Sequence, residues 1–368
     1  MYTNVDGLIT SKLELQDFIK EKEPMIVCLT ETKLNEAIKL EINKNYDIWR
    51  KDRMGKGGGG VMIMTKKELT VKAVEYGEGK AEIAKVNVET KNKERLTIIT
   101  AYVPPRTNSW CKEEHDTVIN DTIRSLSKML KEDKKVMLVG DFNCKEIDWE
   151  TFESNSGDNA WGDRFLRLMM ENLMIQRVNE HTRYRSDDEP ARLDLVLTKG
   201  IYIKDELRYG CPLGKSDHVT IEIDTEVEVT KEDESYKSNR LNYIKTDMEN
   251  LRKFYKKVEW DELLRKNKVQ EKYDIFMEAY NTGVKKYVPV YRPKVKGRKD
   301  WFNAKCANAK EKRDKAWKRL KRRKNQRNKE DFRMARNEYV KIRKEEEKGY
   351  EKDIVENAKN SPSCFTDL

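Results

Sequence analysis

One stretch, residues 135–143, constrains the fold more than any other part of the chain. Residues 136–139 are all apolar, a pattern typical of a strand buried on both faces. The run ends in glycine, and Asp141 and Asn143 follow it. Open α/β sheets carry their chemistry at the carboxyl ends of such strands, and on an extended backbone these two side chains point the same way. An ordinary turn is the alternative, because Asp and Asn are common turn residues.

Further apolar runs alternate with amphipathic segments over the first 225 residues. Ser11 is predicted to cap the first helix, which Pro24 ends. Two further helices are predicted over residues 111–132 and 159–174. Strands are predicted at residues 25–30, 46–50, 61–64, 69–76, 81–89, 95–102, 193–198, 201–207 and 219–223. Because many of these strands follow one another as hairpins, the pattern favours an α/β sandwich over a doubly wound sheet.

Charge divides the chain into two parts. Only 37% of the residues are hydrophobic and 39% are charged, which predicts a folded part and a long solvated part. Residues 291–350 hold 24 Lys/Arg and 9 Asp/Glu, so within a net charge of +10 the rest of the chain carries −5. We therefore predict a catalytic-type domain over residues 1–225, a linker over 226–240, and a helical Lys/Arg-rich region over 241–368.

The composition also excludes several classes. No run of 18 apolar residues exists and the start lacks a signal-peptide pattern, so we expect no membrane partner. The six cysteines include no C-x-x-C pair, which argues against structural zinc and favours reduced thiols in an intracellular protein. His115 and His181 lie among polar residues and are expected to be exposed.

Five predicted strand ends in the first 225 residues carry polar side chains: Glu31, Tyr102, Asp141 with Asn143, Asp194, and Asp217 with His218. Hard cations such as Mg²⁺ prefer oxygen ligands, which Glu31 and Asp217 can supply. Phosphodiester cleavage also needs a base for water, and Asp141 suits that task. A protonated His218 can donate to a phosphate while Asp194 orients its ring.

These residues follow the order of motifs in a known superfamily. The positions that carry the resemblance are Asn4, 29–32, Tyr102, 140–143, 192–194 and 216–218. Together they resemble the endonuclease/exonuclease/phosphatase superfamily. Within it, residues 102–105, 193–198 and 212–218 resemble the endonuclease domain of non-LTR (LINE-type) retrotransposons. The resemblance covers about residues 3–225, and 301–306 with the basic helix more weakly resemble the segment that joins endonuclease to reverse transcriptase.

The resemblance implies a four-layer α/β sandwich of two packed mixed sheets flanked by helices, and hydrolysis of a phosphodiester with Mg²⁺, or alternatively Mn²⁺. It implies no small-molecule cofactor. Carried over by position, it implies a metal site and a catalytic set. The metal residues would be Glu31, Asn4 and Asp217. In the catalytic set, Asp141 would activate water, Asn143 and Tyr102 would contact the phosphate, and His218 with Asp194 would stabilise the transition state.

Two departures from the family pattern are expected to matter. Only three residues precede Asn4, which predicts a truncated first strand and a less firmly placed Asn4. The chain also shows no reverse-transcriptase palm, because its only Asp-Asp pair, residues 187–188, lacks an apolar strand. The sequence is therefore interpreted as a fragment of a retroelement, or as a host gene derived from one.

The basic run in the helical region supplies the second set of predicted contacts: Arg319, Lys321, Arg322, Arg323 and Lys324. It is interpreted as a nucleic-acid-binding or nuclear-import patch, with DNA as the main partner and RNA as a further one. A solvated helix face is the alternative. Trp317 in the same helix is expected to be a packing anchor.

Three functions remain open from the sequence. The first is an active nuclear DNA endonuclease that nicks a target strand. The second is a catalytically impaired nucleic-acid-binding remnant. The third, within the same fold, is a phosphatase.

Overall fold

The computed structural model describes residues 1–107, 110–131, 133–157, 159–185, 188–229, 243–265, 268–289 and 301–360. The described residues belong to two compact units. The first lies within Met1–Glu232 and Gly297–Leu368, and the second lies within Asp233–Lys296. The predicted linker, residues 226–240, falls mostly outside the described residues, and the domain boundaries stay predictions.

The first sheet of the larger unit has the strand order β13-β14-β1-β2-β4-β3 in the described part of the chain. Its strands are β1 (Tyr2–Asn4), β2 (Ile26–Thr30), β3 (Tyr46–Lys51), β4 (Val61–Lys66), β13 (Arg208–Gly210) and β14 (Thr220–Glu222). β1 pairs parallel with β2 and antiparallel with β14, so the sheet is mixed.

The second sheet has the order β11-β12-β8-β7-β6-β5 among the described residues. Its strands are β5 (Val71–Tyr76), β6 (Glu82–Glu89), β7 (Arg95–Tyr102), β8 (Lys135–Asp141), β11 (Ile175–Gln176) and β12 (Asp194–Lys199). β7 and β8 pair parallel, and β12 pairs antiparallel with β8. Two short strands, β9 (Ile147–Asp148) and β10 (Glu153–Ser154), form a separate hairpin.

Three apolar clusters hold these layers together. One lies between the sheets and joins Tyr2 and Ile63 to Val86 and Val139. A second packs the helices α2 (Lys112–Leu130) and α3 (Trp161–Glu171) on the outer face of the second sheet. A third packs the helix α1 (Leu8–Lys22) on the outer face of the first. The layers run helix, sheet, sheet, helix, which confirms the predicted four-layer α/β sandwich.

The helical region following residue 300 packs on this sandwich. It forms α7 (Ala304–Arg322) and α8 (Gln326–Asn360), two antiparallel helices joined by a short turn. Trp317 and Phe332 are buried in the same apolar cluster that fills the space between the sheets. Trp317 is therefore a packing residue, as expected. We call α7 and α8 together the helical hairpin.

The smaller unit is a separate helical body. It contains a 3-10 turn (Tyr243–Lys245) and the helices α4 (Met248–Lys256), α5 (Trp260–Leu263) and α6 (Val269–Tyr287). Its core consists of Leu251, Val284 and Val288. Across the described residues of both units, no helix has the length and apolar composition needed to cross a membrane.

Three local predictions were wrong. Residues 201–207 are not a strand; they contribute one isolated bridge, Ile203 to Thr225, because the charged residues 204–206 are exposed. Ser11 lies inside α1, where its hydroxyl donates to the Val5 and Gly7 carbonyls, and Gly7 is the cap. His115 is buried, with Nε2 3.0 Å from the Pro104 carbonyl oxygen.

Candidate active site

Strand register brings three of the predicted polar residues side by side in the second sheet. Asp141 ends β8, and its neighbours in register are Tyr102 on β7 and Asp194 on β12. The strands approach closely here, because a Cβ at position 140 would lie 2.0 Å from the Ala101 carbonyl oxygen. Gly140 is therefore required by packing. Its place directly before Asp141 sets the carboxylate at the sheet edge.

The first sheet contributes Asn4 and Glu31. The parallel pairing of β1 and β2 places Asn4 opposite Thr30, and Glu31 follows with a positive φ of 50° that turns the chain. The Asn4 amide nitrogen donates to Glu31 Oε1 at 3.1 Å and to Asp141 Oδ2 at 2.9 Å. The Asn4 side chain thus joins carboxyl groups from both sheets. It does so although β1 has only three residues.

Tyr102 completes this group, since its hydroxyl donates to Glu31 Oε1 at 3.0 Å. Tyr102 is 5% exposed, and Glu31 is only half-buried. The carboxylate of Glu31 therefore has one oxygen bound to two donors and the other, Oε2, 3.6 Å from Lys33 Nζ.

His218 and Asp194 form a second buried group. His218 Nδ1 lies 2.7 Å from Asp194 Oδ2, and the Tyr2 hydroxyl donates to Asp194 Oδ1 at 2.6 Å. The Thr182 hydroxyl accepts from the backbone amide of Asp194 at 3.0 Å. Both carboxylate oxygens of Asp194 are therefore occupied, which fixes the imidazole in one orientation. His218 Nε2 faces the other carboxylates and lies 3.9 Å from Asp141 Oδ2.

Ser216 ties the loop that carries His218 to the first sheet. Its hydroxyl donates to the Asn4 carbonyl at 2.7 Å and accepts from the His218 amide at 3.1 Å. Asp217, between them, contacts His218 Nε2 at 3.5 Å through Oδ1, and its Oδ2 accepts from Arg183 Nε at 3.2 Å. The contacts of Asp217 in the described residues are thus with His218 and with arginines, rather than with Glu31.

Asn143 differs from the expectation of an extended backbone. It has a positive φ of 47°, so the chain turns just beyond β8. Its amide nitrogen donates to the Val103 carbonyl at 2.9 Å, and its backbone NH donates to Asp141 Oδ1 at 3.3 Å. The inference that Asn143 and Asp141 point the same way because of strand alternation was wrong. The turn nevertheless keeps Asn143 next to Asp141, because the backbone NH of Asn143 bonds the Asp141 carboxyl group.

Burial and like charge perturb the titration of the site. Burial raises the pKa of Asp141 to about 8, and the carboxylate of Asp194 adds to the rise. Burial lowers the pKa of His218, but Asp194, Asp141 and Asp217 together raise it more, so the net pKa is about 10 and the ring is an imidazolium at neutral pH. Burial and the nearby carboxylates also raise the pKa of Tyr2 and Tyr102, so both hydroxyls keep their protons.

The donor set fits a hard divalent cation. Glu31, Asp141 and Asp194 place three carboxyl groups beside one imidazole ring, so oxygen ligands are in excess. Asp141, Asp194 and His218 each offer a ligand atom within 4.8 Å of the others. Because Asp194 and His218 already bind each other, the oxygens of Glu31 and Asp141 are the better candidates.

The predicted basic run lies at the end of α7. Arg319, Arg322 and Arg323 are exposed. Lys321 pairs with Glu180, and Lys324 Nζ donates to the Asp188 carbonyl at 2.6 Å. The structure therefore divides the run into three exposed arginines and two lysines that contact loops of the sandwich.

Sequence reasoning missed the residues that support the site. Tyr2 is the clearest case, and a signal was present, because residues two apart on a strand share a face and Asn4 was already selected. Thr182, Ser216 and Arg183 lie in loops, where no periodicity marks them.

Part of the chain is similar in sequence to known proteins. The family described as "Endonuclease-reverse transcriptase" matches residues 96–222. Exodeoxyribonuclease of Bacillus subtilis strain 168 is 26% identical over 166 residues, which are 44% of this chain and 65% of that protein. The chain thus spans less than two thirds of that relative's length. Residues 96–222, which include Asp141, Asp194 and His218, are similar to nucleases.

Solved structures with a similar backbone include two nucleases. An AP endonuclease from Archaeoglobus fulgidus is 17% identical, with a TM-score of 0.48 over 61% of this chain and 98% of that one. The endonuclease domain of TRAS1, a telomere-specific non-LTR retrotransposon, is 17% identical, with a TM-score of 0.45 over 62% of this chain and 97% of that one.

Proposed function

We propose that the protein is a metal-dependent phosphodiester hydrolase that nicks DNA, and that it derives from a LINE-type retrotransposon. The observation that carries the proposal is the bridge made by Asn4 between Glu31 and Asp141, beside the buried His218–Asp194 pair. These residues come from both sheets and from separate segments of the chain, and they meet at one edge. The match of residues 96–222 to the endonuclease-reverse transcriptase family supports the same reaction class.

The cation of this proposal is Mg²⁺, with Mn²⁺ as the alternative. Glu31 would hold it, with Asn4 and Asp217 as the further residues of the metal site. A bound divalent cation would neutralise charge on the phosphoryl oxygens. No part of the proposal requires a small-molecule cofactor.

Asp141 is assigned the role of base toward water. A pKa of about 8 suits a carboxylate that accepts a proton near neutral pH, and the Asn4 amide holds its Oδ2 at 2.9 Å. Asn143 and Tyr102 would position the phosphate from either side of Asp141. Each of the two already contacts a neighbour of the site, Val103 and Glu31 respectively.

His218 is assigned to the charge that develops on the phosphate. As an imidazolium it donates from Nδ1 to Asp194, and its second NH at Nε2 remains directed toward the carboxylate side of the site. A fixed donor of this kind stabilises a transition state more than a ground state. Asp194 keeps the ring oriented and charged, and Tyr2 keeps Asp194 in place.

The partners in this proposal are a DNA target strand and, through the basic run of α7, RNA. Arg319, Lys321, Arg322, Arg323 and Lys324 are the proposed contacts of that run. Action on chromosomal DNA also implies residence in the nucleus. The three exposed arginines are the members best placed to meet a phosphate backbone.

Nicking of supercoiled plasmid tests the function. We expect open-circular product with Mg²⁺ or Mn²⁺ and none with EDTA. Asp141→Asn should lower the rate by about 10²–10⁴-fold, because it removes the proposed base. Asp116→Asn, a matched change at an exposed carboxylate on α2, should leave the rate unchanged.

The other open functions give different results in the same assay. A binding remnant would bind plasmid without nicking it under any metal condition. A phosphatase would release phosphate from a 3′-phosphorylated oligonucleotide and leave the plasmid intact. Nicking that persists at the wild-type rate in Asp141→Asn would exclude the assignment of Asp141.

A further inference from the structure

A cleft of about 460 Å³ lies between the helical hairpin and the loops of the sandwich. Six cationic side chains line it: Arg185, Lys215, Lys324, Lys329, Arg333 and Arg336. Only two carboxylates, Asp217 and Glu330, lie among its lining residues. We call it the basic cleft. Its strong excess of positive charge suits a polyanion.

The basic cleft borders the candidate active site. Ser216 and Asp217 belong to its lining, and both contact the site directly. Ser216 binds the Asn4 carbonyl and the His218 amide, while Asp217 lies 3.5 Å from His218 Nε2. A ligand that filled the cleft would therefore lie next to the position where the proposed function places the scissile phosphate.

The far wall of the cleft is fixed by packing. Trp317 lies edge-on to Tyr184 with ring centroids 5.1 Å apart, and contacts Phe332 at 5.2 Å. These aromatic rings line the cleft together with the cationic groups. Their packing holds the backbone that carries the cationic groups of the hairpin against the sandwich.

A buried ion pair connects this wall to the loop of the active site. Arg313 on α7 pairs with Glu14 on α1 at 3.3 Å, and the same Glu14 oxygen accepts from the Gly214 amide at 3.1 Å. Gly214 lies two residues before Ser216, in the loop that carries His218. The hairpin, α1 and the His218 loop therefore form one packed body.

We propose that the basic cleft binds the sugar–phosphate backbone of the nucleic-acid strand that is being cut, next to the scissile phosphate. This rests on the proposed function, because the strand enters the cleft from the active site. The region matched to the endonuclease-reverse transcriptase family ends at residue 222, so the hairpin wall lies outside it. The cleft adds a second anchoring point for the strand, on cationic groups separate from the catalytic set.

The test uses Lys215→Ala/Arg333→Ala, which removes two exposed cationic side chains from opposite walls of the cleft. The matched control is Lys44→Ala/Lys67→Ala. It removes the same charge near β3, at the opposite edge of the first sheet from β13. Binding of a 30-base-pair DNA duplex is measured by fluorescence anisotropy in EDTA across a range of KCl concentrations. Plasmid nicking is measured with Mg²⁺.

For the cleft variant we expect an affinity about 10-fold lower at moderate salt. The slope of log K against log [KCl] should become shallower by about 1.8, since each lost phosphate contact contributes about 0.9. In nicking, KM should rise with kcat largely unchanged, because the cleft acts on binding. The control variant should match the wild-type protein in affinity, salt slope, KM and kcat.

The outcomes separate the two proposals. Wild-type nicking together with wild-type affinity and slope in the cleft variant would overturn the cleft assignment and leave the proposed function standing. A wild-type protein that neither bound nor nicked DNA would overturn both. A duplex in which methylphosphonates neutralise the backbone should bind the cleft variant and the wild-type protein equally, and a persistent difference would also count against the cleft.

Discussion

The active site and the helical hairpin both bury charged side chains, but they balance them differently. At the site, carboxyl groups outnumber the single imidazole ring, and burial with like charge raises the pKa of Asp141 to about 8. In the hairpin, buried Arg313 has Glu14 at 3.3 Å and its guanidinium lies 4.6 Å from the ring centre of Tyr339. An unbalanced buried cluster is typical of a functional site, whereas a paired charge serves packing.

This difference in charge balance indicates that the two regions have different roles in the molecule. Burial and charge repulsion in the site cost folding stability, and a bound cation would offset part of this cost. Arg313 in the hairpin has its carboxylate partners, Glu14 and Asp314, without any ligand. The hairpin is therefore expected to hold the sandwich loops in place whether or not DNA is bound.

The largest effect on stability should follow Arg313→Ala. The change leaves Glu14 buried without its guanidinium partner, and such a loss typically costs about 3–5 kcal/mol. Chemical unfolding followed by circular dichroism measures the loss. Lys310→Ala, which breaks an exposed pair with Glu21 on the same helices, should cost only about 0–1 kcal/mol. Equal effects of the two changes would contradict the assignment of Arg313 as a packing charge.

The sequence predicted the site better than the hairpin, for a physical reason. Glu31 and Asp141 each follow an apolar strand, so a position at a sheet edge could be expected for both. Asp194 instead begins β12, and it reaches the same edge because β12 runs antiparallel to β8. The turn at Asn143 could not be predicted from the sequence, because it depends on a positive φ and on a hydrogen bond to the Val103 carbonyl. Their catalytic and metal roles stay predictions.

The hairpin was predicted as helical but also as solvated, because its apolar residues are sparse. Trp317, Leu320 and Phe332 nonetheless fall on one side and fill a gap beside the sheets. Sequence spacing shows that they can share a face but not that a partner surface exists. That surface includes Tyr184 and Tyr209, from loops and strands distant along the chain.

A smaller effect, of opposite sign, should follow Asp141→Asn in EDTA. Burial raises the folded-state pKa of Asp141 from 3.8 to about 8, so the folded protein holds that proton more tightly than the unfolded chain. The contribution of this group to stability therefore falls as pH rises from about 4 to 8. Asn takes up no proton on folding, so the substitution should raise Tm at pH 7, at about 2–4 °C per kcal/mol, and the gain should shrink toward pH 5.

Thermal unfolding at pH 5 and pH 7, with and without Mg²⁺, measures this gain. Mg²⁺ should narrow the difference by stabilising the wild-type protein selectively. Asp116→Asn serves as the matched control and should leave Tm nearly unchanged at both values of pH. A lower Tm for Asp141→Asn at pH 7 in EDTA would mean that the buried carboxylate is satisfied and that the site and the hairpin balance their charges alike.

The smallest effect should come from Arg322→Ala/Arg323→Ala. Both side chains are exposed at the end of α7 and lie outside the lining of the basic cleft, so we expect duplex affinity to fall only about 2–5-fold. Unfolding free energy should stay within about 0.5 kcal/mol of the wild-type value. Anisotropy titrations of this variant and of the cleft variant, run in parallel, show which of the two surfaces contributes more to duplex affinity. A larger loss here than for Lys215→Ala/Arg333→Ala would place the main backbone contact on the exposed arginines rather than in the cleft.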